Sequence, residues 1–139
     1  MELIHKEECY RIIGACFEVY KDKGSGFLEP VYDECLTLEL GLQSIPHVPK
    51  PRMQLSDKGQ ILRHHYEPDF VCFDKIILEI KAVTNLSDEH RAQILNYLAA
   101  SGFPLGLLVN FGHHPKLEWE RVANSKTNSA SNQPPPSLS

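Results

Sequence analysis

Residues 67–82 read EPDFVCFDKIILEIKA. Two short apolar segments, PDFVCF and KIILEI, flank Asp74, which is the pattern of a tight hairpin. Each segment carries charge where a buried strand should carry none: Asp69 in the first, Glu79 and Lys81 in the second. Side chains alternate faces along a strand, so Glu79 and Lys81 share a face while Leu78 and Ile80 take the other. Folding the hairpin about Asp74 with Asp69 opposite Glu79 sets Phe70 against Leu78 and Cys72 against Ile76. One face then holds Phe70, Cys72, Ile76, Leu78 and Ile80. The other holds Asp69, Val71, Phe73, Ile77, Glu79 and Lys81, with its three charges at the end away from the turn. A slip of one residue would set Glu79 on the side of Phe70 and Cys72. The hydrophobic pattern therefore selects the register that gathers the charges.

Two carboxylates opposed across a ladder repel each other, and burial raises the cost. A divalent cation between them reverses the sign. Mg2+ is held through one or two carboxylates, water and substrate phosphate. The alternative is a structural ion pair, with Lys81 bridging Asp69 and Glu79 at a solvated sheet edge. The flanking apolar residues read as central strands and weigh against it.

Upstream, Cys9, Ile12, Ile13, Cys16, Phe17 and Tyr20 recur at helical spacing, which predicts a helix from Leu3 to Tyr20 that breaks at Gly24 and Gly26. A second helix is expected from near Leu28, with Pro30 in its first turn and Gly41 as its C-terminal cap. Leu28, Tyr32, Cys35, Leu36 and Glu39 line one face of it, and Glu29 sits at its N-terminus, where the helix dipole favours an anion. The prolines of SIPHVPKP exclude helix. RMQLSDKGQILRHHYEPDFVCF reads as a hairpin turning at Asp57-Lys58-Gly59.

Downstream, SDEHRAQILNYLAAS predicts a third helix capped by Ser87, and Ile94, Leu95 and Leu98 form its core-facing stripe. GLLVNF is a strand buried on both faces, reached by a crossover, and KLEWERV an edge strand. The expected order is α–α–β–β–β–α–β, with one optional further strand. This is an α/β (α+β) fold: helices packed on a mixed sheet. From Asn124 on, Ser, Asn, Gln and Pro dominate. That predicts one domain over residues 1–123 and a disordered polar tail over 124–139.

At 139 residues, 42% hydrophobic and 23% charged, the chain has a soluble globular composition. It has no apolar run near the ~20 residues of a membrane span and no basic, apolar leader. The expected location is the cytoplasm, with no membrane partner. Cys9, Cys16, Cys35 and Cys72 form no C-x-x-C pair and read as reduced core residues. No H-E-x-x-H occurs, and the tandem pairs His64–His65 and His113–His114 read as surface or groove residues. A net charge of −4 excludes binding of nucleic acid by bulk attraction. A local groove remains open: Lys50, Arg52, Lys58 and Arg63 fall in one stretch whose only carboxylate is Asp57. Charge alone favours a solvated loop and hairpin there.

PDF followed by EIK, with Asp69 and Glu79 ten residues apart, resembles the PD-(D/E)XK phosphodiesterase pattern. GFLEPVY, with Gly26, Glu29 and Tyr32, fits the G-x-x-E-x-x-Y signature of one group in that superfamily. ILEIKAV, AQILNYL and GLLVNFG resemble that group's further blocks, in order. The resemblance spans roughly residues 10–122. It implies a restriction-endonuclease-like core and a Mg2+- or Mn2+-dependent nuclease acting on nucleic acid, DNA above all.

By resemblance, Asp69 and Glu79 bind the metal, the Ile80 carbonyl adds a ligand and Glu29 completes the site. Lys81 orients water or stabilises charge on the phosphate. Gln93 and Tyr97 match the Q-x-x-x-Y pattern that lines such sites, and Lys50, Arg52, Lys58 and Arg63 are the expected nucleic-acid contacts. Pro30 and Tyr20 depart from the group's usual residues. The rival function is a catalytically silent nuclease fold serving as a binding or scaffold module. A homodimer would double the groove, but no sequence feature requires one.

Overall fold

A computed structural model describes residues 4–124. In chain order its elements are α1 (Lys6–Lys23), α2 (Glu29–Leu42), β1 (His47–Pro49), β2 (Met53–Asp57), β3 (Gln60–Tyr66), β4 (Phe70–Cys72), β5 (Ile76–Lys81), α3 (Asp88–Ser101), β6 (Leu105–Asn110) and β7 (Glu118–Ala123). The hairpin about Asp74 forms in the register that the alternation selects: Phe70 faces Leu78, Val71 faces Ile77 and Cys72 faces Ile76. Phe73 and Asp74 both take positive φ, 54° and 59°, which turns the chain back sharply. That twist carries Phe73 off the charged face, where alternation had set it. It packs on the α1 side of the sheet instead, 5.4 Å from the Arg11 guanidinium.

The main sheet runs β1-β4-β5-β6-β7. The β5–β6 pair is parallel and the others antiparallel. A parallel pair needs a crossover, and α3 supplies it. Alternation sends neighbouring strand residues into two different cores. Phe70, Cys72, Ile76, Leu78 and Ile80 pack under α1 and α2 with Ile12, Cys16 and Leu36. Val71 and Ile77 pack under α3 with Ile94, Leu98 and Leu108. Both faces are covered, so every residue of β6 is buried.

α3 starts at a capping box, in which His90 replaces the usual Glu or Gln. The Ser87 hydroxyl accepts from the His90 N–H at 3.4 Å, and the His90 ring nitrogen accepts from the Ser87 N–H at 3.1 Å. Leu95, expected on the core stripe, is instead 46% exposed.

Five further differences follow, most of them from proline, glycine and an amide. The segment expected as one strand from β3 into β4 breaks at Glu67-Pro68. β2 and β3 therefore form a separate two-stranded sheet, turning at Lys58 and Gly59 as expected. The proline-rich stretch does contain a strand, β1, because an edge position tolerates Pro49. α2 runs through Gly41 and ends at Gln43, and its buried face is Tyr32, Leu36 and Leu40. Leu28, placed on that face by the sequence reading, is the N-cap and 78% exposed.

Asn124, assigned above to the tail, is buried. Its amide donates to the Leu98 and Phe103 carbonyls at 2.9 and 2.8 Å. The rest of that expected tail lies outside the described residues. All four cysteines are free, and all but Cys35 are buried. Among the described residues no helix is long and apolar enough to cross a membrane.

Asn110 ends β6 fully buried. Its side-chain oxygen accepts from the Val83 and Gly112 N–H groups, each at 3.0 Å. The loop after β6 thereby lies against the exit of β5. A Cβ at Gly112 would meet the Val83 nitrogen and oxygen at 2.5 Å. These are backbone atoms and cannot swing aside. Gly112→Ala is therefore expected to cost about 1–3 kcal/mol, read as a lower melting temperature. A melting curve unchanged by the substitution would contradict this packing.

Candidate active site

Asp69 and Glu79 meet where the β4–β5 ladder stops. Extending the register by two pairs, past Asp69 and Glu79, would set Ile80 against Pro68, whose nitrogen has no proton to donate. Side chains take over at that point. The Asp69 N–H donates to Glu79 Oε1 at 2.7 Å, and the Ile80 N–H donates to Asp69 Oδ2 at 2.8 Å. Each carboxylate is thus fixed through one oxygen to the backbone beside the other. The second oxygens, Asp69 Oδ1 and Glu79 Oε2, take no protein hydrogen bond among the described residues. The N–H and C=O of one strand residue point to the same edge, so the Ile80 carbonyl lies on the edge that faces Asp69.

Both carboxyls are shifted upward. Burial pushes Asp69 up to about 6. The N–H of Ile80 opposes the shift, and the charges of Glu29 and Asp33 add to it. Burial, then the charge of Asp69, pushes Glu79 up to about 8, against the Asp69 N–H and the Lys81 ammonium. Two acids held this close in a partly dry site resist being ionised together. Shifts of this kind, with named charge partners, are typical of functional sites.

Glu29 and Asp33 come from the first turns of α2, four residues apart on one helix face. Both act on Asp69 through space. Asp33 was not among the expected site residues, although its spacing from Glu29 is a signal that the sequence carries. Tyr32 explains how Glu29 is held. It is fully buried, stacks on Phe111 at 4.8 Å, donates to the Gly24 carbonyl at 2.5 Å and accepts from the Phe27 N–H at 3.1 Å. The loop before α2 is pinned by that hydroxyl, and Glu29 follows directly. Lys50 reaches the same corner. Its N–H donates to the Asp69 carbonyl at 2.8 Å, and its ammonium lies 3.9 Å from Asp33.

Lys81, Gln93 and Tyr97 form a chain on the α3 side. The Lys81 ammonium donates to Gln93 Oε1 at 3.1 Å, and Gln93 Nε2 donates to the Tyr97 hydroxyl at 3.1 Å. Burial, then the Glu79 and Asp69 charges, raises the Tyr97 phenol above its ordinary value. Lys81 therefore does not bridge the carboxylates as an ion pair at hydrogen-bond distance. It is held beside them by an amide.

A profile of the PD-(D/E)XK nuclease superfamily matches residues 6–122. The chain belongs to that superfamily. Among solved structures, the crystal structure of SSO0001 superposes with a TM-score of 0.53 at 14% identity, over 94% of this chain and 68% of that one. At that identity the likeness concerns the fold alone. No curated protein matches the chain. Pro68, Asp69, Glu79 and Lys81 match the letters of the PD-(D/E)XK pattern, and the structure brings the last three to one edge. Pro68, the motif's first letter, is the residue that ends the ladder and frees that edge.

The donor set suits a hard divalent cation, which takes oxygen ligands. Two carboxylate oxygens without a hydrogen-bond partner among the described residues and the Ile80 carbonyl lie at this edge. Among the described residues no three His, Cys, Asp or Glu side chains converge tightly enough to hold an ion by themselves. Glu29, expected as a direct ligand, stands within electrostatic range of Asp69 rather than in such a cluster. Of the expected nucleic-acid contacts, Lys50 adjoins the carboxylates. Arg52, Lys58 and Arg63 are exposed, the last two on the β2–β3 hairpin. The site is an open edge. A cavity of about 480 Å3 lies elsewhere, between α1 and α2, and none of these residues lines it.

Proposed function

We propose that the chain is a Mg2+- or Mn2+-dependent nuclease that hydrolyses phosphodiester bonds, with DNA as its main substrate. One observation carries this: in the interlocked Asp69–Glu79 pair, two carboxylate oxygens have no hydrogen-bond partner among the described residues, beside Lys81. A structural pair would close on itself or on the lysine. Asp69, Glu79 and the Ile80 carbonyl would hold the cation, and Glu29 and Asp33 would bind and orient water around it. The chemistry a divalent cation supplies when bound is a more acidic water and a neutralised phosphate.

The remaining work falls to side chains. Lys81 is a compact point charge, kept by Gln93 beside the carboxylates, and it stabilises charge growing on the phosphate oxygens. Water attacks phosphorus and gives up one proton, the bond to one ester oxygen breaks, and that oxygen takes up a proton as it leaves. Lys50, Arg52, Lys58 and Arg63 contact backbone phosphates, so binding weakens as salt rises.

A second reading is a nuclease-fold protein that binds nucleic acid without cutting it. The lack of a third converging acidic ligand among the described residues favours it. Both are tested by incubating labelled single-stranded, duplex and junction DNA, and RNA, with the protein and Mg2+ or Mn2+, beside Lys81→Ala. Metal-dependent products with the wild type and none with Lys81→Ala are expected. Undiminished products with Lys81→Ala would overturn the proposal. Salt-sensitive binding without any product would establish the second reading.

A further inference from the structure

The β2–β3 hairpin lies outside the main sheet, and a pair of strands alone is marginally stable in water. Its base is anchored by Met53 and Tyr66, which pair across it and pack on α3 with Leu98 and Tyr97. Tyr66 is 8% exposed. Its ring stacks on that of Tyr97, with centroids 4.9 Å apart and planes inclined by 23°. Burial pushes its phenol up to about 12, partly offset by the Ser101 hydroxyl of α3. The chain then runs Glu67-Pro68-Asp69 into the carboxylate pair.

Tyr66 thus adjoins both halves of the site. It reaches Asp69 through Glu67 and Pro68, and it reaches Lys81 through Tyr97 and Gln93. An ammonium can only donate, so the oxygen of the Gln93 amide must face Lys81. Its NH2 then needs an acceptor, and the Tyr97 hydroxyl is that acceptor. If the Tyr97 ring swings away, nothing orients the amide, and the four-carbon stem of Lys81 loses its tether. Tyr97 is only half-buried on the α3 surface, so the stacked ring above it is what confines it.

We propose that Tyr66 is a positioning residue: by stacking on Tyr97 it sets the Gln93 amide and, through it, places the Lys81 ammonium at the site. This rests on the nuclease reading of Lys81. Nothing in the PD-(D/E)XK pattern includes Tyr66, and it touches no reacting group.

The test uses the full chain. Tyr66→Leu and Tyr66→Met fill the volume without a stacking ring, and Tyr66→Phe keeps the ring without the phenol. Each is made in the wild-type and Gln93→Ala backgrounds, with folding checked by melting curves. Tyr66→Leu and Tyr66→Met are expected to lower kcat about 10- to 100-fold with KM little changed, the scale of a small misplacement in a site. Tyr66→Phe restores kcat. In the Gln93→Ala background the Tyr66 variants add no further loss, because the link is already cut.

The side-chain amide resonance of Gln93 in metal-free protein gives a readout free of activity. It shifts in Tyr66→Leu and Tyr66→Met and stays in place in Tyr66→Phe. Equal losses in both backgrounds, or an unmoved Gln93 resonance, overturn the proposal. If the wild type cuts no substrate, the nuclease reading falls, and the Gln93 resonance alone decides whether Tyr66 holds this chain of contacts.

Discussion

Glu79→Gln is expected to abolish metal-dependent cleavage while raising the melting temperature of the metal-free protein at pH 8. The two effects have one cause. Glutamine keeps Oε1 as the acceptor for the Asp69 N–H, so the geometry of the edge survives. It removes the charge that would hold a cation, and loss of even one such electrostatic element costs about 10²- to 10³-fold in rate. In the absence of metal, that same charge is a liability. Burial and Asp69 push the Glu79 carboxyl up to about 8. Ionising it in the folded state therefore costs free energy that the unfolded chain avoids. At pH 8 the neutral amide should be more stable by a few kcal/mol, since each unit of upward shift corresponds to about 1.4 kcal/mol. At pH 5 the native Glu79 already carries its proton and the gain should vanish. Melting curves at the two pH values, beside a cleavage assay, test both halves. A variant that still cuts, or one destabilised equally at both pH values, would mean that Glu79 is an ordinary structural acid.

The register of the β4–β5 hairpin was legible because alternation and charge impose the same constraint. Phe70, Cys72, Leu78 and Ile80 cannot reach one core unless Asp69 and Glu79 meet. Ser87 and the Lys58-Gly59 turn were legible for local reasons, a cap hydroxyl and a residue pair that accepts positive φ. What escaped was set by tertiary context. β1 is a strand only because β4 offers it an edge, and its prolines argue against it locally. The break at Pro68 reflects where two sheets diverge, which no periodicity records. Gly41 resembles a cap, but Leu40 and Ile45 hold the last turn through a main-chain bond from Ile45 to Leu40. Asp33 carried a readable spacing from Glu29, yet its relevance depends on where Asp69 lies across the fold. Tyr66 gave no signal at all. An aromatic ending an alternating strand is ordinary, and its role needs the ring of Tyr97 above it.

Mg2+ or Mn2+ is expected to raise the melting temperature by several degrees at pH 8.5 and hardly at all at pH 5.5. The sign follows from the two acids. Their folded-state pKa values, about 6 for Asp69 and about 8 for Glu79, lie above those of an unfolded chain. Between about pH 4 and pH 8 the folded protein therefore holds protons that the unfolded one has released. The stability this contributes is present below pH 4 and is lost as pH rises through 8. A cation needs the deprotonated pair, so it competes with those protons, and its hold strengthens over the same interval in which the metal-free protein weakens. At 100 times Kd the gain is about 2.7 kcal/mol. Sodium chloride at matched ionic strength controls for screening of surface charge. Asp69→Asn with Glu79→Gln should lose both the metal response and its pH dependence. An equal response at both pH values, or one retained by that double variant, would place the cation away from these carboxylates. Asp69 and Glu79 would then be a buried acid pair sharing a proton, stable for reasons unconnected with catalysis.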